Sequence, residues 1–236
     1  MKKLLLVAMI AMVAFVSTSN AASNGLWVMD SPTANILPYG AYNIDIKFIS
    51  EGGVQTKLNF GVFKIFNLGI GLELAKFIGN ESVKVSVPAL CAKLQIYGGD
   101  MSWPAFAIGY DGLGYGYDAD LPKDYTQLGK GLYFVVGREA FFEGLMLNMG
   151  LNINDFSDSK VYGFFNAIVP VYEETVFAIA EYDNLHNFSD ARLNMGARCA
   201  VTEYLNIDFF VRDCWGSRRD GVPNERIFRF TYTGKF

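Results

Sequence analysis

From residue 41 to the end, the chain divides into about twelve segments, each close to ten residues long. In most of them, every second side chain is apolar and those between are largely polar, charged or glycine. A strand points successive side chains to opposite faces, so such a segment is a strand with one apolar and one polar face. The segments run 41–50, 54–63, 67–77, 88–97, 102–112, 131–140, 144–154, 160–170, 175–183, 191–201, 204–213 and 225–236. In the seventh, Leu145, Leu147, Met149, Leu151 and Ile153 alternate with Met146, Asn148, Gly150, Asn152 and Asn154. In the eleventh, Leu205, Ile207, Phe209 and Val211 alternate with Asn206, Asp208, Phe210 and Arg212. The chain is 51% hydrophobic and 15% aromatic, with 24 glycines, yet no run after residue 40 is long enough for a membrane helix. Strands of this length with an apolar outside and a polar, glycine-bearing inside fit a closed barrel in lipid.

The connections give an independent test. From the second segment on, tight turns at 64–66, 98–100, 141–143, 171–174 and 202–203 alternate with longer links at 78–87, 113–130, 155–159, 184–190 and 214–224. Short periplasmic turns alternating with longer outer loops are the expected asymmetry of a bacterial barrel. The first connection, Glu51-Gly52-Gly53, is short where a long one is expected. The fold expected is therefore all-β: a transmembrane antiparallel barrel of about twelve strands over 41–236, with both termini periplasmic.

The two ends point to the same place. Lys2 and Lys3, an apolar run from Leu4 to Val16 and the small residues Ser19 and Ala21 have the pattern of a secretory signal peptide over 1–21, with cleavage expected after Ala21 and Ala22 as the near alternative. Residues 22–40 would follow as a periplasmic lead-in. At the other end, Phe228, Phe230 and Tyr232 alternate with Arg229, Thr231 and Thr233 before the terminal Phe236. Such an end resembles the closing strand of bacterial outer-membrane barrels, in which the terminal aromatic is an assembly signal. Phe236, with Tyr232 and Phe230, is the expected signal to the barrel-assembly machinery, and the expected address is the outer membrane of a Gram-negative-type bacterium.

A charge facing lipid near the midplane costs ~2–4 kcal/mol, so the polar sets must face the lumen. Candidate lumen-lining residues are Asp45, Lys47, Glu73, Asp208, Arg192, Arg198, Arg212 and Arg229, joined by Lys57, Lys93, Asp111, Glu181, Asp183 and Lys235. The four arginines lie on neighbouring strands. They suit either a path for small anionic solutes or cross-strand ion pairs, Asp208 with Arg212 or Arg229, that hold a narrow lumen shut. The modest interior of twelve strands favours the ion pairs. Phe164, Phe177 and Ile179 fall on the luminal side of segments eight and nine, and segment six is equally mixed. Either the register slips there or the lumen is partly filled by apolar side chains.

Several chemistries find little support. The formal net charge of −4, two units more negative once Lys2 and Lys3 are removed, gives no reason to expect nucleic acid as a partner. Cys91, Cys199 and Cys214 have no metal spacing, and Cys91 and Cys199 should point to opposite faces, so no bridge is expected between them. The run Gly109 to Asp120 places Asp111, Asp118 and Asp120 at spacings that no known calcium loop uses. Its tyrosines suit a membrane-interface girdle followed by a flexible loop, or rings for stacking sugars. His186, the one histidine, invites comparison with outer-membrane phospholipases, where a base takes the proton of a serine. Ser189 follows on the same predicted loop, where nothing fixes an attack geometry, so no catalytic residue, cofactor or metal is expected.

The stretch Asp30-Ser31-Pro32-Thr33-Ala34-Asn35-Ile36-Leu37-Pro38-Tyr39-Gly40 resembles the Pro-Thr-Ala-Asn…Pro-x-Gly lead-in of YjbH-like outer-membrane β-barrel proteins. That resemblance implies a non-enzymatic barrel linked to exopolysaccharide export or surface display, with outer-membrane lipid and polysaccharide as partners. Characterised members are longer lipoproteins, and this chain has no lipobox cysteine. Pro32 and Pro38 fix φ and lack N–H groups, which suits an extended lead-in that does not join the sheet.

Overall fold

The computed structural model describes residues 25–100, 102–121, 124–154, 156, 160–185, 191–214 and 224–236. Its strands are β1 (Ala41–Phe48), β2 (Val54–Phe63), β3 (Phe66–Ala75), β4 (Lys84–Val85), β5 (Ala89–Tyr97), β6 (Ala105–Asp111), β7 (Tyr115–Tyr117) and β8 (Tyr125–Gln127). They continue as β9 (Gly131–Glu139), β10 (Met146–Ile153), β11 (Tyr162–Tyr172), β12 (Val176–Asp183), β13 (Arg192–Ala200), β14 (Leu205–Arg212) and β15 (Glu225–Lys235). Twelve of them form a closed antiparallel barrel, each paired with its neighbours in the chain, and β1 pairs with both β2 and β15 to shut the ring. The closing pair runs in unbroken register from Ala41 opposite Lys235 to Phe48 opposite Phe228. Closure leaves no unpaired edge, which an open sheet in lipid could not tolerate. The short β4 extends the wall beside β3, and β7 pairs only with β8 in the connection after β6.

Each predicted segment matches one barrel strand; β2 has the predicted bounds, β3 starts one residue earlier and β11 runs two residues further. The ends differ as expected. The end with residues 41 and 235 carries short turns such as 64–65, 173–175 and 201–204, and the other carries 76–88, 112–130 and 213–224. The first link is on the long-loop side and stays short by means of a 3₁₀ turn, Ser50–Gly52, with Glu51 and Gly52 both at positive φ.

Burial alternates as the pattern required. In β1, Ala41, Asn43, Asp45 and Lys47 are buried inside, and Tyr42, Ile44, Ile46 and Phe48 face outward. The outer face carries exposed Leu68, Ile70, Leu90, Phe134, Leu151 and Phe209. Among the outward positions of the twelve barrel strands, Arg138 and Arg226 are the charged ones, and each is one residue from a strand end. The mixed segments kept their register. Phe164, Ile168, Phe177 and Ile179 do point inward and are buried, so apolar side chains fill part of the lumen.

Glycine makes room for those rings. Gly150 pairs with Phe164 and Gly196 with Phe210 on adjacent strands. A Cβ on Gly196 would lie 2.3 Å from Phe210 Cδ1 and 2.4 Å from the Phe209 carbonyl oxygen. The second contact is backbone, so the sheet itself would have to move. Gly196→Val is expected to cost about 1–3 kcal/mol by overpacking. A urea series on the refolded barrel checks this, and an unchanged midpoint would show that the ring does not need the gap.

Candidate functional site in the barrel lumen

The largest departure from the sequence reading is the lead-in. Residues 22–40 are expected as a periplasmic lead-in; residues 25–37 fold back into the barrel, with Pro38 exposed at its mouth. They form a hairpin with Trp27 opposite Pro32, closed by Val28 N–H donating to the Ser31 carbonyl at 2.9 Å and Thr33 N–H to the Leu26 carbonyl at 3.1 Å. Pro32 cannot donate to a sheet, and the hairpin makes no strand pairing with the wall. Its buried backbone groups need other partners, and charged and amide side chains of the wall supply them.

The hairpin's carbonyls are held by cations. Lys93 Nζ donates to the carbonyls of Leu26 (2.8 Å), Thr33 (3.1 Å) and Asn35 (3.2 Å). Arg229 donates to the Val28 carbonyl, Lys47 to that of Met29 at 3.1 Å and Gln95 to that of Ala34 at 3.0 Å. Its N–H groups are held by acceptors. Glu181 accepts from Met29 (3.2 Å), Asp30 (3.1 Å) and Ser31 (2.8 Å) around the tip. Asn148 accepts from Ala34, and Asn67 from Leu37, both at 3.1 Å. Two side chains of the hairpin add contacts of their own. The Lys57 ammonium sits 4.0 Å from the centre of the Trp27 ring, whose edge meets Tyr133. Asp30 pairs with Lys47 at 2.9 Å and with Arg212 at 2.8 Å. Val28 and Met29 pack against Ile168, Phe177, Ile179, Phe210 and Ile227, the inward apolar set.

All eight sequence-derived lumen candidates are buried inside: Asp45, Lys47, Glu73, Arg192, Arg198, Asp208, Arg212 and Arg229. The arginine stripe is paired: Asp208 takes Arg229, one of the two expected partners, while Arg212 takes other carboxylates. Asp208 lies between Arg198 (Nε to Oδ1, 2.9 Å) and Arg229 (Nε to Oδ2, 2.8 Å). Arg212 takes Asp30 and Glu225, and Arg192 takes Asp183 at 3.6 Å. Asp45 accepts from Thr231 at 3.1 Å, Lys57 pairs with Asp111 at 2.7 Å, and Glu73 accepts from Gln55 at 2.7 Å and from Tyr117 N–H at 2.6 Å. Lys235 is exposed at the rim and does not join them. Cys91 points inward and Cys199 outward, as their strand positions required, and all three cysteines are free thiols.

A second insertion comes from the opposite end. The 112–130 connection, expected to be a flexible loop with an interfacial tyrosine girdle, turns into the barrel. Tyr110 does face outward, but Tyr115 and Leu113 are buried. The Arg212 guanidinium stacks 3.6 Å from the centre of the Tyr115 ring, whose hydroxyl donates to Glu225. Gln127 Oε1 accepts from both Arg192 and Arg212, and Lys130 pairs with Asp183 at 2.5 Å. Among the described residues, a void of about 50 Å³ lies between this loop and the hairpin tip, and one of about 10 Å³ lies beside Trp27, Lys47 and Arg229. Above the loop lies a vestibule of about 760 Å³, with Tyr115, Gln127, Arg192, Arg212 and Glu225 among its walls and Lys84 and Asp118 towards its rim.

Asp30, Glu181 and Asp183 bring carboxylate oxygens within 4.8 Å of one another at the hairpin tip. A metal ion does not fit that donor set. Lys47, Lys130, Arg192 and Arg212 already neutralise two of the carboxylates, and Glu181 is turned to backbone N–H groups and Asn194. His186 and Ser189 lie outside the described residues.

The sequence reading missed Asp30, Tyr115, Gln127, Lys130 and Glu225. Asp30 sits in a segment without alternation, and the loop residues carried only a composition signal. No protein-family model matches this chain, and no curated protein does. Solved structures do match in outline. One is the low-pH structure of Pseudomonas putida OprB, at 9% identity over 82% of this chain and 91% of that one, with a TM-score of 0.34. Another is Salmonella typhi OmpF in complex with daunomycin, at 10% identity over 82% and 97%, with a TM-score of 0.30. At these values the likeness adds nothing to the strand pairing, which establishes the closed barrel.

Proposed function

We propose that this chain is a non-enzymatic barrel of a Gram-negative-type outer membrane, closed to solutes while its own residues 25–37 fill the lumen. The single observation that carries this reading is the hairpin, whose backbone is bonded to side chains from β1, β3, β5, β10, β12 and β15. The address is supported by the outer belt, whose apolar side chains are uninterrupted by charge except near strand ends. A belt of that extent has no use in water and a direct one in lipid. In this orientation the short turns and residues 41 and 235 face the periplasm, and the vestibule faces outward. The resemblance of 30–40 to YjbH-like proteins adds the process served, export or surface display of an exopolysaccharide, which would meet the protein at the vestibule. That polymer, outer-membrane lipid and the assembly machinery acting on the strand ending in Phe236 are the partners of this reading.

A planar-bilayer recording of the refolded full chain tests it, and no steady current is expected. The second reading is a narrow channel for small anions. Its support is the convergence of Arg192 and Arg212 on the neutral Gln127 amide below the vestibule. A steady anion-selective current from the intact chain would reverse the order of the two.

A further inference from the structure

We propose that the lumen is a polypeptide-binding site, and that residues 25–37 are its resident and exchangeable occupant. The argument starts from what the wall recognises. Lys93, Glu181, Arg229, Asn148 and Asn67 all bond to backbone atoms of the hairpin. Backbone recognition of this kind is the means by which proteins hold extended segments of other chains, with affinity from the main chain and specificity from a few side-chain positions. Here the positions are two. An aromatic ring at residue 27 lies against Lys57 and Tyr133, and a carboxylate at residue 30 lies between Lys47 and Arg212. The ligand class is therefore an extended segment that turns on an aromatic-x-x-acid sequence, entering from the end that carries the short turns.

Two features separate this from a permanent core. The hairpin contributes no strand to the barrel, so its departure breaks no ladder. It is joined to β1 through Tyr39, which is 70% exposed, so the connection lies at the surface. Inside, Val28 and Met29 pack on the inward apolar set, and the other contacts to the hairpin include polar bonds to an otherwise complete wall. Each loses part of its strength to the water that would replace the peptide. The proposal deepens the closed-barrel reading and rests on it, because a lumen that conducts with the hairpin in place would not be a filled site.

The test uses the folded full chain with a protease recognition site inserted at 39–40. Cutting turns the hairpin into a separate peptide held by the same contacts. A fluorescent synthetic peptide of residues 25–38 is then added, with uncut protein as the control. The labelled peptide is expected to enter the cut protein and to be excluded from the uncut one. A peptide with Ile36→Ser, at a half-buried position, should bind within about threefold of the native sequence. Trp27→Ala and Asp30→Asn peptides should bind at least about tenfold more weakly, since each removes a desolvated partner of a buried cation. A neutral dextran oligomer should displace nothing. Failure of the labelled peptide to exchange over days in a folded, cut barrel would overturn the proposal. Equal binding to the uncut protein, or equal affinity of the Trp27→Ala and Asp30→Asn peptides, would overturn it as well. Conductance of the uncut protein tests the closed-barrel reading separately.

Discussion

Asp208→Ala is expected to destabilise the barrel by about 3–5 kcal/mol, more than any other single change among the luminal charges. Asp208 is fully buried and accepts from the Nε atoms of both Arg198 and Arg229. Those guanidiniums are themselves buried, at 2% and 1% exposure, and neither can lose its proton. Arg229 keeps a second carboxylate, Asp45, only at 3.6 Å. Removing the shared anion therefore leaves two adjacent positive charges in a site closed to water. Asp208→Asn, which keeps one acceptor oxygen, should cost less than the alanine variant. Equilibrium unfolding in urea from lipid vesicles measures both. A loss below about 1 kcal/mol for the alanine would mean that water reaches the cluster and screens it.

Deleting residues 25–38 is expected to turn a silent barrel into a conducting one. The wall is complete without them, because the closing pair between β1 and β15 involves only residues from 41 onward. The deletion strips Asp30 from Lys47 and Arg212 and the carbonyl cage from Lys93. Lysines and arginines left facing a wet lumen favour anions, so the current should be anion-selective, and that selectivity should shrink as salt screens the lining. Heat-modifiable gel migration reports whether the variant is folded before any current is read. A folded deletion variant that carries no current would place the block in the 112–130 loop, where Tyr115 and Gln127 lie over the hairpin tip.

The single-chain pattern was enough to define the wall. Each strand needs one face for lipid and one for the interior. The rows Tyr42, Ile44, Ile46, Phe48 and Asn43, Asp45, Lys47 therefore state both the strand and its facing without reference to any neighbour. The alternation of short and long links likewise follows from the chain alone, since an antiparallel barrel places every second link at the same end. The mixed segments were not decided by the pattern, because Phe164, Phe177 and Ile179 on the inner side fit a slipped register as well as a filled lumen.

That choice came from tertiary structure, and so did the content of the lumen. Residues 25–37 have no period and few charges, and their local chemistry reads equally well as a free lead-in. What draws them inside is the unmet demand of the wall. Lys93 bonds to three carbonyls and Glu181 to three N–H groups, so both take backbone groups from another part of the chain. The Asp208 cluster shows the same limit. Residue type predicts that buried arginines will be paired, but which carboxylate each one takes depends on strand stagger and on Asp30 arriving from outside the sheet. Alternation is a local property of a strand and is written in consecutive residues. The pairing of buried charges is fixed only when segments distant in the chain are brought into the same closed, water-poor interior.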